Sequence, residues 1–348
     1  MPNASATHLT RRGILAAGGA LGLGAVLTAC GDDDAKSSGS GDGTAAAKSG
    51  PWSFKDDRGK TVELDKVPAN IVAFTGVAAA LWDYGVQVKG VFGPTTTKDG
   101  KPDVQAGDID VDKVTVLGNE WGKLNVEKYA ALAPELLVTT TFDTAGTLWS
   151  VPEESKDKIA KLAPSVAISV FDRQLTQPLQ RMWELAESLG ADMKAKKVTD
   201  AKAAFEKAAA RLRAAAKAKP EIRVLAGSAS AELFYVSGTN LSVDLEYFKA
   251  LGVNFVEPSE EAKKATGGWF ESLSWENVDK YPADVIIMDD RASTIQPADI
   301  TEGTWKQLPA VKAGQVIARS PEPILSYDKC TPLLDNLAEA IENAKKVG

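Results

Sequence analysis

One arrangement occurs twice in this chain, and it leaves few folds open. Residues 71–74 read as a short strand. A helix ending Trp82-Asp83-Tyr84-Gly85-Val86 follows, and then a strand over 89–92. Far downstream, residues 223–226 read as a strand, a helix ends Lys249-Ala250-Leu251-Gly252-Val253, and Asn254-Phe255-Val256 follows. Gly85 and Gly252 stand where the residue after a helix adopts a left-handed conformation. A second echo lies after each. Leu124-Asn125-Val126-Glu127 leads through a short helix to Pro134-Glu135-Leu136-Leu137-Val138. Leu273-Ser274-Trp275-Glu276 leads to Pro282-Ala283-Asp284-Val285-Ile286-Ile287. Asn125 and Ser274 can cap these helices, because their side-chain oxygens accept free backbone N–H groups. Leu124 with Tyr129, and Leu273 with Val278, have the spacing of a hydrophobic staple. The runs 136–139 and 285–288 lack alternation, as parallel strands covered on both faces do. β-α-β construction performed twice predicts an α/β protein of two similar lobes.

A helical zone separates the halves. Leu179, Met182, Trp183, Leu185, Ala186 and Leu189 form a helical stripe. Residues 192–218 are dominated by Ala and Lys, strong helix formers, and Pro220 ends the run. The predicted organisation is an N-terminal lobe over 51–190, a connecting long helix over 191–219 and a C-terminal lobe over 220–348.

The first fifty residues read as address and tether. Arg11 and Arg12 precede a greasy, glycine-rich stretch ending Leu27-Thr28-Ala29-Cys30. A basic start, a short apolar middle and a small-residue cleavage point make an export signal over 1–29. The tetrapeptide resembles a bacterial lipobox, whose Cys carries lipid. Thr10-Arg11-Arg12-Gly13-Ile14-Leu15 resembles a twin-arginine signal, with Gly13 and Ile14 departing from its usual form. Residues 30–50 are small and polar and read as a disordered tether. Cys30 is the expected lipidation site, placing the protein on the extracellular face of the cell membrane.

Composition excludes much. The chain carries a net charge of −7; removing 1–29 takes away Arg11 and Arg12 and no acid, leaving −9. An acidic body argues against nucleic acid as a partner. The single histidine, His8, lies in the signal. A Ser-His-Asp site, a Cys-His site and a His-rich metal site are therefore impossible in the mature protein. Cys330 reads as a small apolar filler. Asp32-Asp33-Asp34 reads as a solvated charge cluster of the tether.

Three stretches then carry a resemblance. Val67-Pro68-Ala69-Asn70-Ile71-Val72-Ala73, residues 125–137 and Ala310-Val311-Lys312-Ala313-Gly314-Gln315-Val316 look like those of ABC-transporter substrate-binding lipoproteins of the iron-siderophore, haem and cobalamin class. The resemblance covers 51–348. It implies the class III periplasmic-binding-protein-like fold, with two α/β lobes, one long joining helix and a ligand cleft between the lobes. It implies a monomeric carrier that hands its ligand to a permease and does no chemistry. It assigns Glu127 and Glu276, one on each lobe, to permease docking; each also suits a helix N-terminus.

Ligands of open α/β sheets bind beyond the carboxyl ends of strands. That rule nominates Trp121, Phe142, Trp149 and Arg173 on the first lobe. On the second it nominates Tyr235, Trp269, Arg291 and Tyr327. A loop Trp offers a flat apolar face with one N–H donor. Arg173 and Arg291 offer planar donor forks, or they pair with Asp172 and Asp290. Trp82, Trp183 and Trp305 sit in helical patterns and read as packing. Arg173, Arg291 and Arg319 amid many acids suit a neutral or cationic complex, such as a ferric hydroxamate, better than a highly charged tris-catecholate. No resident cofactor or protein-bound metal is expected; the iron arrives wrapped as Fe3+-siderophore. Haem or cobalamin is the alternative within the class. Outside it stand a secreted lipoprotein enzyme, using Asp289, Asp290 and Glu271, and a non-transport surface or sensor lipoprotein.

Overall fold

The computed structural model describes residues 50–348; the signal, the lipobox with Cys30 and almost all of the tether lie outside the described residues. The first elements are an antiparallel hairpin, β1 (Trp52–Lys55) and β2 (Thr61–Leu64). The first lobe follows. Its strands are β3 (Ile71–Phe74), β4 (Gly90–Phe92), β5 (Thr115–Gly118), β6 (Leu136–Thr141) and β7 (Ser165–Ser169). They form one parallel sheet in the order β5-β4-β3-β6-β7. Helices α1 (Thr75–Asp83), α2 (Val126–Ala131), α3 (Lys156–Leu162) and α4 (Thr176–Ser188) intervene. Every residue of β3 and β6 is buried, as the unalternating sequence requires. Asn125 caps α2 by accepting from the Lys128 N–H at 2.8 Å, and Leu124 and Tyr129 are both buried. Gly85 has φ +84° and Gly252 φ +101°, the left-handed values their places demand. Chain order in the sheet reverses between β3 and β6. Their carboxyl ends are therefore the topological switch point, where a crevice opens.

The helix α5 (Lys196–Ala218) carries the chain to the second lobe. That lobe has β8 (Arg223–Ala229), β9 (Leu233–Ser237), β10 (Asn254–Phe255), β11 (Phe270–Ser274), β12 (Val285–Asp289) and β13 (Val316–Arg319). Its helices are α6 (Val243–Ala250), α7 (Glu260–Lys263), α8 (Gly303–Gln307) and α9 (Pro309–Lys312). The sheet order is β11-β9-β8-β12-β13. Here the two lobes differ: β9 and β11 run antiparallel. The first half of β8 pairs with β10 and its second half with β9, on the same edge. The helix expected after Ser274 is a 3-10 turn over Trp275–Lys280. Ser274 makes no backbone cap there; its hydroxyl accepts from the Asn277 side chain.

The last helix, α10 (Tyr327–Asn343), lies along α5. Arg211 of α5 holds Asp335 and Glu342 of α10, and Lys219 donates to the carbonyls of Glu342 and Ala344. Ser326 caps α10 through the Lys329 N–H and also donates to Asp83 at the end of α1. Lys329 reaches Asp108 of the first lobe at 2.7 Å. The segment 220–348, assigned by sequence to the second lobe alone, thus returns its final helix to the connection and to the first lobe. Cys330 is fully buried there, and burial pushes its thiol pKa up, so it packs as a filler.

Candidate functional site

The strand ends of both lobes face a cavity of about 510 Å³. Phe142, Asp143 and Trp149 supply the first-lobe wall. Gly227, Ser228, Trp269, Asp289, Arg291 and Arg319 supply much of the second, and Pro321-Glu322 close it at the link to α10. A smaller apolar recess of about 40 Å³ adjoins it, reaching Phe74 and Gly76 at the switch point. Two nominated aromatic faces meet across the gap. The Phe142 ring stands 4.5 Å from Trp149 on its own lobe and 6.3 Å from Trp269 on the other. Trp121 lies half-buried behind this wall, and the Arg291 guanidinium sits 5.9 Å over its ring. The loop carrying Trp121 folds so closely on Gly118 that a Cβ there would lie 2.1 Å from the Lys123 carbonyl oxygen. Gly118→Ala should therefore displace that loop and cost about 1–3 kcal/mol of stability by overpacking. A urea midpoint equal to that of the parent would refute the clash.

The charges in the cavity come already paired. Arg291 donates to Asp289 (Nη2 to Oδ2, 2.6 Å) and to Glu322 (Nη1 to Oε1, 2.5 Å). Gln105 of the first lobe donates to the other Glu322 oxygen at 3.2 Å. Burial works against the charge of Arg291, but Asp289 and Glu322 outweigh it and raise its pKa. Burial lifts the Glu322 carboxyl above its usual range, against the pull of Arg291 and Gln105. Arg319 forms a two-pronged pair with Asp244, at 2.7 and 2.8 Å, and also donates to Ser242. Asp290 accepts from Ser320 instead of pairing with an arginine, and burial raises its carboxyl.

Four of the eight nominated ligand residues line the cavity: Phe142, Trp149, Trp269 and Arg291. Trp121 stacks against Arg291 from behind. Tyr235 belongs to β9, with its hydroxyl toward Ser230 and its ring 5.1 Å from Phe270. Its cross-strand partner Ser228 and its face-mate Ser237 both line the cavity, so it stands just beyond the rim. Two nominated residues lie off this cavity. Arg173 lies in a separate, adjoining pocket, because the chain turns away at Asp172 (φ +49°). Tyr327 is buried at the start of α10, between Trp183 and Phe205, and lines neither the main cavity nor the recess beside it. Glu322 was missed as a member of the site. Glu322 sits between two prolines in an irregular segment and offers no periodic signal.

Glu127 and Glu276 are both exposed in the first turns of their helical segments, and neither forms an ion pair among the described residues. The Asp289, Asp290 and Glu271 trio does not converge. Glu271 is held by Lys280 and Tyr281, Asp289 by Arg291 and Asp290 by Ser320.

Comparison with known proteins places this geometry. The chain resembles DesE, a ferric-siderophore receptor protein from Streptomyces coelicolor, at 96% identity, covering 85% of this chain and 100% of that one, with a TM-score of 0.84. The fold is shared with a siderophore periplasmic binding protein from the fuscachelin gene cluster of Thermobifida fusca (21% identity, 79% and 96% coverage, TM-score 0.56). It is shared too with the petrobactin-binding protein YclQ of Bacillus subtilis (19%, 84% and 99%, TM-score 0.61). No curated protein sequence matches the chain. The model of the family described as periplasmic binding protein matches residues 71–323, most of the chain. A cleft walled by aromatic faces and self-paired charges, on this fold and with that match, makes the chain a member of the periplasmic binding protein family and a binder, not an enzyme.

Proposed function

We propose that the chain captures a ferric siderophore of hydroxamate type and delivers it to an ABC permease, as a lipoprotein anchored through Cys30 on the extracellular face of the cell membrane. One observation carries the ligand class. Both arginines that line the cavity are neutralised in place, Arg291 by Asp289 and Glu322 and Arg319 by Asp244. A highly anionic tris-catecholate would have to strip these pairs. A neutral or cationic complex meets aromatic faces and fixed dipoles instead. The likeness to a ferric-siderophore receptor at 96% identity supports the siderophore reading. The iron is cargo, wrapped by its own ligand.

The test is a calorimetric titration of the apo protein with ferric trihydroxamates, ferric tris-catecholates, haem and cobalamin. Saturable binding confined to the trihydroxamates is expected. Preference for the tris-catecholate, haem or cobalamin would overturn the reading.

Delivery has its own test. Glu127→Ala with Glu276→Ala should leave ligand affinity unchanged and lower uptake by whole cells about thirtyfold, two interfacial ion pairs with the permease being worth roughly 1 kcal/mol each. Uptake at the parental rate would remove the docking role. A Cys30→Ala variant released into the medium, where the parent stays with the membrane, would support the anchor.

A further inference from the structure

Next to the main cavity, wholly on the first lobe, lies a second one of about 400 Å³. It sits where β6 and β7 end, and Asp143 lines both. Its walls are polar: Thr141, Thr144, Ser169 and the backbone around Gly146, with Asp57, Arg58, Asp143, Asp172 and Arg173.

The charges here are unlike those of the main cavity. Arg58 is spoken for, by Asp56 at 2.6 Å and the Ser165 carbonyl. Asp57 is held by Arg181 at 2.7 Å and by the Ser169 N–H. Arg173 has no hydrogen bond and no ion pair among the described residues, and its Nε is buried without an acceptor. Its sequence neighbour Asp172 does not pair with it. Asp143 accepts from the Thr147 N–H at 3.0 Å and from Thr141, and it forms no ion pair among the described residues. A buried N–H donor without an acceptor is rare in folded proteins and marks a place where something else supplies one. A guanidinium matches a carboxylate with two parallel donors. Uncompensated acids in the same pocket reject a second negative charge and favour an ammonium.

We propose that this pocket is a subsite for a carboxylate carrying a neighbouring ammonium, an amino-acid headgroup, with Arg173 on the carboxylate and Asp143 on the ammonium side. Such a headgroup can come from a free amino acid or from an arm of the ferric complex; the pocket's chemistry is the same for both.

The test uses calorimetry on the full chain with glycine, acetate and methylamine. Beside them stand two ferric trihydroxamates: one ending in an amino-acid headgroup, the other in its N-acetyl methyl ester. If the source is free, glycine binds at least tenfold tighter than acetate or methylamine, and Arg173→Gln removes that preference. If the source is an arm, the headgroup complex binds at least tenfold tighter than the capped one, and Arg173→Gln erases the ratio. Arg173→Lys, which keeps the charge and loses the fork, should fall between and serves where the Gln variant fails to fold. The capped complex should bind the Arg173 variants as it binds the parent, so failure here is separable from failure of the hydroxamate reading. If neither glycine nor the headgroup complex shows an Arg173-dependent gain, the subsite does not exist.

Discussion

Asp244→Ala should unfold at far lower urea than the parent, losing about 3–5 kcal/mol, the cost of leaving one member of a buried ion pair alone. Asp244 is fully buried and Arg319 is 5% exposed. Both Asp244 oxygens are taken by the Arg319 guanidinium, whose remaining contact is the Ser242 hydroxyl. Without the carboxylate, the guanidinium keeps its desolvation and loses most of its compensation. The pair also ties β13 to the start of α6, so the cavity wall should loosen with it. Asp244→Ala combined with Arg319→Met should recover much of the loss, since a well-packed apolar pair can replace a buried ionic one. A single-variant loss under 1 kcal/mol would show that the pair is not what holds this corner.

The second large effect belongs to ligand binding. Trp269→Ala should weaken capture of the ferric complex by about 30-fold or more, the 2 kcal/mol or greater expected of a central aromatic anchor. Trp269 lines both the main cavity and the recess beside it, and its ring faces Phe142 of the other lobe. Truncating it removes a ligand face and the aromatic bridge across the gap together. Trp183→Phe is the control. That ring packs between Tyr84 and Tyr327, away from the cavity, and the change should leave affinity within about twofold, as for a substitution outside the contact patch. Equal effects of the two substitutions would dismiss Trp269 as an anchor.

Much of this architecture was legible in the sequence because parallel strands and capped helices leave local marks. The unalternating runs at 136–139 and 285–288, the Asn125 cap and the left-handed Gly85 and Gly252 are each set by a few neighbouring residues. The β8–β9 hairpin was missed because its turn, Ala231-Glu232, holds none of the Gly, Asn or Asp that mark tight hairpins. Its alternating burial, with Phe234 and Val236 in and Leu233, Tyr235 and Ser237 partly out, was the usable signal. The site divides along the same line. Loop aromatics beyond strand ends were found by rule. Tyr327 misled because it follows a strand in the chain yet begins a helix; its place between Trp183 and Phe205 depends on partners more than a hundred residues away. The pairing of Arg319 was invisible for the same reason, since Asp244 lies 75 residues away, whereas pairing of Arg291 with a nearby acid was open in the sequence and falls to Asp289 instead of Asp290.

The return of α10 alongside α5 bears on how the molecule can be cut. A break after Lys219 would not yield two independent halves, because the downstream piece carries the helix that completes the upstream one. Each fragment alone would present a long apolar seam to water. Mixed together, they should reassemble through that seam, making the last seventeen-residue helix a natural handle for fragment complementation.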